Sequence, residues 1–84
     1  MRLPRDVSGN SLAKRLEKYG YSISRQSGSH LRLTTSQNGE HHITIPLHSD
    51  IRIGTLNAIL TDVADHLDIT RDELLEALFG KASV

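Results

Sequence analysis

Two stretches that alternate apolar and polar side chains, Leu31-Arg32-Leu33-Thr34-Thr35 and His42-Ile43-Thr44-Ile45, lie on either side of an Asn38-Gly39 pair. Successive side chains of a strand point to opposite faces, so each stretch predicts a half-buried strand, and Asn-Gly between them predicts a hairpin. Register decides the rest, because a slip of one residue moves every side chain of a strand to the other face. A two-residue turn would pair Leu33 with Thr44 and Arg32 with Ile45, mixing apolar and polar groups on each face. A three-residue loop, Gln37-Asn38-Gly39 with Gly39 left-handed, pairs Leu31 with Ile45 and Leu33 with Ile43 and makes one face apolar throughout. The second register is therefore expected, and it sets His30, Arg32 and Thr34 on the polar face with Pro46, Thr44 and His42.

The remaining elements follow from caps and periodicity. Ser8 caps a helix over residues 9–19, in which Leu12, Leu16 and Tyr19 form one face and Gly20 ends it. Tyr21-Ser22-Ile23-Ser24-Arg25 alternates as a further strand, separated from the second by Ser27-Gly28-Ser29. Pro46 ends the third strand or sits at an edge. Thr55 is expected to cap a second helix with Leu56, Ile59, Leu60, Val63 and Leu67 on one face. Thr70-Arg71-Asp72-Glu73 has the form of a capping box before a last helix with Leu74, Leu75 and Leu78, ending at Gly80, and residues 81–84 are expected to fray. Helix, three antiparallel strands, helix, helix is an α+β order in which helices cover one face of a sheet.

At 84 residues the chain has room for a single domain, residues 1–84, and for a shallow site only. With no cysteine there is no disulfide, thiolate metal site or thiol nucleophile. Met1-Arg2-Leu3-Pro4-Arg5 precedes no apolar stretch and does not read as a secretory signal, so a soluble cytoplasmic protein is expected. The formal net charge is zero, which argues against a surface that grips phosphates everywhere. The charge is nevertheless divided. Basic groups, among them Lys14, Arg15, Lys18, Arg25 and Arg32, dominate residues 1–35, and acids such as Asp62, Asp65, Asp68, Asp72, Glu73 and Glu76 dominate the remainder.

On the polar face His30 is a solvent-facing histidine, and if the backbone stays extended past Pro46, His48 lies diagonally from it, so that two imidazoles could flank one phosphate. An exposed strand histidine is more often a plain surface residue, and a Ser-Gly-Ser turn more often only turns than offers N–H groups to a phosphate. His41 and His42 point to opposite faces with no carboxylate at ligand spacing, which gives no metal site. His66, near the acidic end of the second helix, is read as solvated or helix-terminal.

Tyr19-Gly20-Tyr21, Arg25-Gln26-Ser27-Gly28-Ser29-His30, Ile45-Pro46-Leu47-His48 and Gly54-Thr55-Leu56 followed by Ile59-Leu60 together resemble the HicA family, in order and spacing, over nearly the whole chain. The resemblance implies a fold similar to double-stranded RNA-binding domains, with a C-terminal helix added. It also implies a toxin of a toxin–antitoxin pair, an endoribonuclease that cleaves messenger RNA and is neutralised by a HicB-like antitoxin covering its active site. The family's catalytic histidine corresponds to His30. One departure is clear: the second helix, often lysine-rich in the family, has Arg52 as the only Lys or Arg between residues 33 and 70.

RNA carries its own nucleophile in the 2′-hydroxyl, so cleavage without a metal or cofactor needs a base, an acid and charge against the phosphorane. Histidine suits both proton roles, since an imidazole ordinarily titrates near pH ~6.5. The expected assignment is His30 as principal acid or base, His48 as a second, Arg25 or Arg32 on the phosphate, and Gly28 and Ser29 as backbone donors. The alternative is a non-catalytic RNA-binding or antitoxin-binding module of the same fold.

Overall fold

Ser8 opens the first helix by accepting a hydrogen bond from the Ser11 N–H at 3.1 Å, as its residue type and place predict. In the computed structural model, which describes residues 3–80, this helix is α1, Gly9–Leu16, and it tightens into a 3₁₀ turn over Glu17–Tyr19 before Gly20 takes up φ 81°. The strands are β1, Ser22–Ser27, β2, His30–Thr35, and β3, His41–Pro46, followed by helices α2, Ile53–Leu67, and α3, Arg71–Phe79. The architecture is α+β, with the element order of double-stranded RNA-binding domains and α3 added. The expected fraying of residues 81–84 lies outside the described residues. Among those described, no helix is long and apolar enough to cross a membrane.

The sheet is antiparallel in the order β1-β2-β3. β2 and β3 take the register that the alternation selects, Leu31 with Ile45 and Leu33 with Ile43. Pairing continues to Thr35 with His41, and in the connection both Asn38 (φ 57°) and Gly39 (φ 98°) are left-handed. The apolar face packs under the helices into one core in which Leu12, Leu16, Leu31, Leu33, Ile45, Leu56, Leu60, Leu74 and Leu75 are buried. α1 passes so close to the end of β3 that a Cβ on Gly9 would collide with the Pro46 carbonyl oxygen, and the Gly9 N–H donates to the His48 carbonyl at 3.0 Å.

Two local expectations change. α2 begins two residues before Thr55, with Arg52 as its N-cap and no side-chain cap bond, so Thr55 lies inside the first turn. The reason is Ile51: it is buried, and its N–H donates to the Val7 carbonyl at 2.8 Å, so the chain can turn into helix as soon as that anchor is made. In β1, Ile23 pairs with Leu33 on the helix side of the sheet, yet it is 55% exposed, lining an open hollow with Asn10, Ala13, Lys14 and Glu17 rather than packing into the core.

α3 keeps its predicted start. Thr70 Oγ1 accepts from the Glu73 N–H at 3.0 Å, and the Glu73 carboxylate accepts from the Thr70 N–H at 2.9 Å. Its far end is tied to α1, where Arg15 donates to the Leu78 carbonyl at 2.7 Å and its guanidinium lies 5.0 Å from the Phe79 ring centre.

Candidate active site

Strict alternation along β1 would put Arg25 and Ser27 on the same face as Ile23, toward the helices. The pairing prevents this. Ile23 pairs with Leu33 and Arg25 with Arg32, so Ser24 is an extra residue, a β-bulge. The bulge moves Arg25 and Ser27 onto the solvent face, opposite Arg32 and His30. Ser24 holds it in place, its hydroxyl donating to the Arg32 carbonyl at 3.2 Å and meeting the Thr34 hydroxyl at 2.8 Å.

β1 and β2 join through Gly28-Ser29, with Ser27 paired to His30 across the turn. Gly28 has φ 56° and Ser29 does not have a positive φ, the pattern of a two-residue turn with glycine first. This tight connection puts His30 at the first position of β2, exposed and on the polar face. The result is a shallow hollow of about 230 Å³ lined by Arg25, Ser27, His30, Arg32 and Thr44. Two guanidinium groups, one imidazole and two hydroxyls face it, and no carboxylate does.

His48 is exposed and is not among the residues lining this hollow, and neither are Gly28 and Ser29. β3 ends at Pro46, one further ladder bond follows from the Leu47 N–H to the Ser29 carbonyl at 2.7 Å, and the His48 carbonyl accepts from the Gly9 N–H at 3.0 Å. The hollow thus brings Arg25, His30 and Arg32 together and leaves His48, Gly28 and Ser29 out of its lining.

His41 and His66 form a separate assembly on the helix side that alternation alone does not reveal. His41 and His42 do face opposite sides. His42, on the polar face, bonds the Thr34 hydroxyl at 2.7 Å through Nδ1 and Glu40 at 2.8 Å through Nε2. His41, on the helix side, has its Nδ1 2.7 Å from the Tyr21 hydroxyl and its Nε2 3.2 Å from Asp62. Burial, and secondarily the charge of Asp62, push the Tyr21 phenol up to about 12, so it keeps its proton in its hydrogen bond with His41. His66 stacks on His41 with ring centres 4.3 Å apart, and its Nε2 donates to the Gln37 and Gly39 carbonyls at 2.9 and 3.0 Å. His66 therefore fastens the β2–β3 loop to α2 rather than standing solvated at the helix end. Among the described residues, no three His, Cys, Asp or Glu side chains are grouped so as to hold a metal ion.

The family described as HicA toxin of bacterial toxin–antitoxin systems matches residues 9–64, more than half of the chain. The match runs from the start of α1 into α2 and includes every residue lining the hollow. No curated protein and no solved structure gives a significant match.

Proposed function

The chain belongs to the HicA toxin family, and on that premise we propose that it is an endoribonuclease that cleaves messenger RNA in the cytoplasm and is held inactive by a HicB-like antitoxin. The observation that carries the proposal is the convergence of His30, Arg25 and Arg32 on one solvent-facing hollow, with the bulge at Ser24 turning Arg25 toward it. Phosphate recognition favours guanidinium groups, which present several donors in a plane and stay charged. A 2′-hydroxyl beside a phosphate held there lies within reach of an imidazole at the rim.

In this mechanism His30 takes the 2′-hydroxyl proton or supplies one to the leaving 5′-oxygen. Arg25 and Arg32 neutralise the developing phosphorane. His48 is the second proton-transfer group, brought in when RNA bridges from the hollow to the end of β3, and the Gly28-Ser29 amides add backbone donors. Attack by the 2′-oxygen forms a new P–O bond as the 5′-oxygen departs, leaving a 2′,3′-cyclic phosphate and a 5′-hydroxyl.

The test is His30→Ala. The variant should keep the parent's circular dichroism and melting temperature, because an exposed position contributes little to stability. It should lose cleavage by at least about a hundredfold, within the usual range of general acid–base catalysis. Cleavage by the parent should survive a chelator and yield cyclic phosphate ends. A fully active His30→Ala protein sinks the assignment. If parent and variant bind RNA equally and neither cuts it, the chain is a binding module.

A further inference from the structure

A second hollow, of about 470 Å³, adjoins the first and shares Arg32 and Thr44 with it. It wraps around the free edge of β3 toward α2, where Ala58, Ile59 and Asp62 complete it with His42. The charge is graded along the pair. The first hollow has two guanidiniums and no acid, the second has a carboxylate, and Arg32 stands between. A phosphate is favoured at one end and disfavoured at the other, while a neutral group rich in N–H donors fits the second.

The edge of β3 adds main-chain groups. The Leu47 N–H to Ser29 carbonyl bond belongs to the same ladder as the pairs Leu31 with Ile45 and Leu33 with Ile43. In an antiparallel ladder hydrogen-bonded and non-bonded pairs alternate, so the main-chain N–H and C=O of His42 and Thr44 point away from β2, toward the open edge. Pro46, next in that series, has no N–H to offer, which confines the free edge to two residues. An edge this short suits a small planar group better than an added protein strand.

Resting on the reading of the first hollow as the phosphate site, we propose that the second is a nucleoside subsite selective for guanine. Guanine presents O6 as acceptor beside N1–H and N2–H₂ as donors. A main-chain N–H of β3 meets O6 while the Asp62 carboxylate accepts both donors, and Ala58 and Ile59 supply an apolar surface. Asp62 is 58% exposed and gives one oxygen to His41, and a carboxylate has further lone pairs for a base. Adenine would turn its unprotonated N1 toward the carboxylate, and uracil offers a single N–H.

The test uses the unaltered chain with 2′-O-methylated pentanucleotides, which lack the nucleophile and cannot be cut. Each has a central guanine, inosine or adenine between uridines. Guanine should bind about tenfold tighter than adenine, at the low end of what a bidentate base contact gives, with inosine between them. The Thr44 amide resonance should shift with the guanine oligonucleotide. Asp62→Asn should bring the guanine preference below about twofold, whereas Asp65→Asn on the same helix should leave it unchanged. A purely structural loss at Asp62 would weaken all three oligonucleotides equally and would overturn the subsite, as would a parent without guanine preference. A Thr44 amide that responds to antitoxin but to no oligonucleotide also overturns it. The result is independent of cleavage: guanine preference in a chain that cuts no RNA sinks the catalytic reading alone, and cleavage without preference sinks the subsite alone.

Discussion

Tyr21 is the residue at which burial, hydrogen bonding and charge act together. The residue is buried at 1% exposure, and its hydroxyl is hydrogen-bonded to His41 Nδ1, whose Nε2 is in turn bonded to Asp62. The raised phenol pKa makes the linkage sign unambiguous. The folded state holds the proton more tightly than the unfolded chain, so this contribution is complete below pH 10 and is lost as pH rises from 10 toward about 12. Denaturation followed across that range should show the parent losing stability while Tyr21→Phe loses less. At neutral pH the variant should be less stable by about 1 kcal/mol, the usual net value of one hydrogen bond. An identical alkaline profile for both proteins would show that another group sets it.

Among the elements, α3 begins on a complete capping box. The Glu73 carboxyl is held below its ordinary value first by the Thr70 N–H and then by the Thr70 hydroxyl. A lowered carboxylate stabilises the fold above its unfolded pKa, and that stabilisation is lost as pH falls through the folded value. As the loss of an N-cap side chain, Thr70→Ala should cost about 1 kcal/mol at neutral pH. The gap between variant and parent should narrow in acid, and urea unfolding at a series of pH values measures both. β1 is governed differently: its bulge replaces regular pairing at Ser24, and what it gains is the placement of Arg25 beside His30.

For the whole molecule, the extent of the family match raises the question of what α3 contributes. The match ends at residue 64, yet Leu74, Leu75 and Leu78 are buried in the same core as the sheet and α1. Burying three leucines is worth on the order of 4.5 to 9 kcal/mol at the usual 1.5–3 per side chain, comparable to the ~5–15 kcal/mol that holds a typical domain together. Deleting residues 70–84 should abolish the cooperative thermal transition, observed as a flat melting curve. A truncated chain that melts like the parent would mean that α1, α2 and the sheet close a sufficient core alone. Burial of Leu74, Leu75 and Leu78 gives α3 a packing role in the core.

The features legible in the residues are those set by neighbours in sequence. Only one hairpin register gives β2 and β3 a uniform apolar face, so Leu31, Leu33, Ile43 and Ile45 determine the pairing and, with it, the exposure of His30. Ser8, Gly20 and Thr70 mark their helix ends because caps satisfy local backbone groups. Alternation gives Arg25 the parity of Ile23, and an arginine on the apolar side of a strand is the one local sign of a bulge. Its position at Ser24, the Tyr21–His41–Asp62 chain, the docking of His66 and the start of α2 at Ile53 depend on contacts between segments distant in sequence. Period and propensity report which face a residue prefers, and only the packed helices and paired strands decide what that face meets.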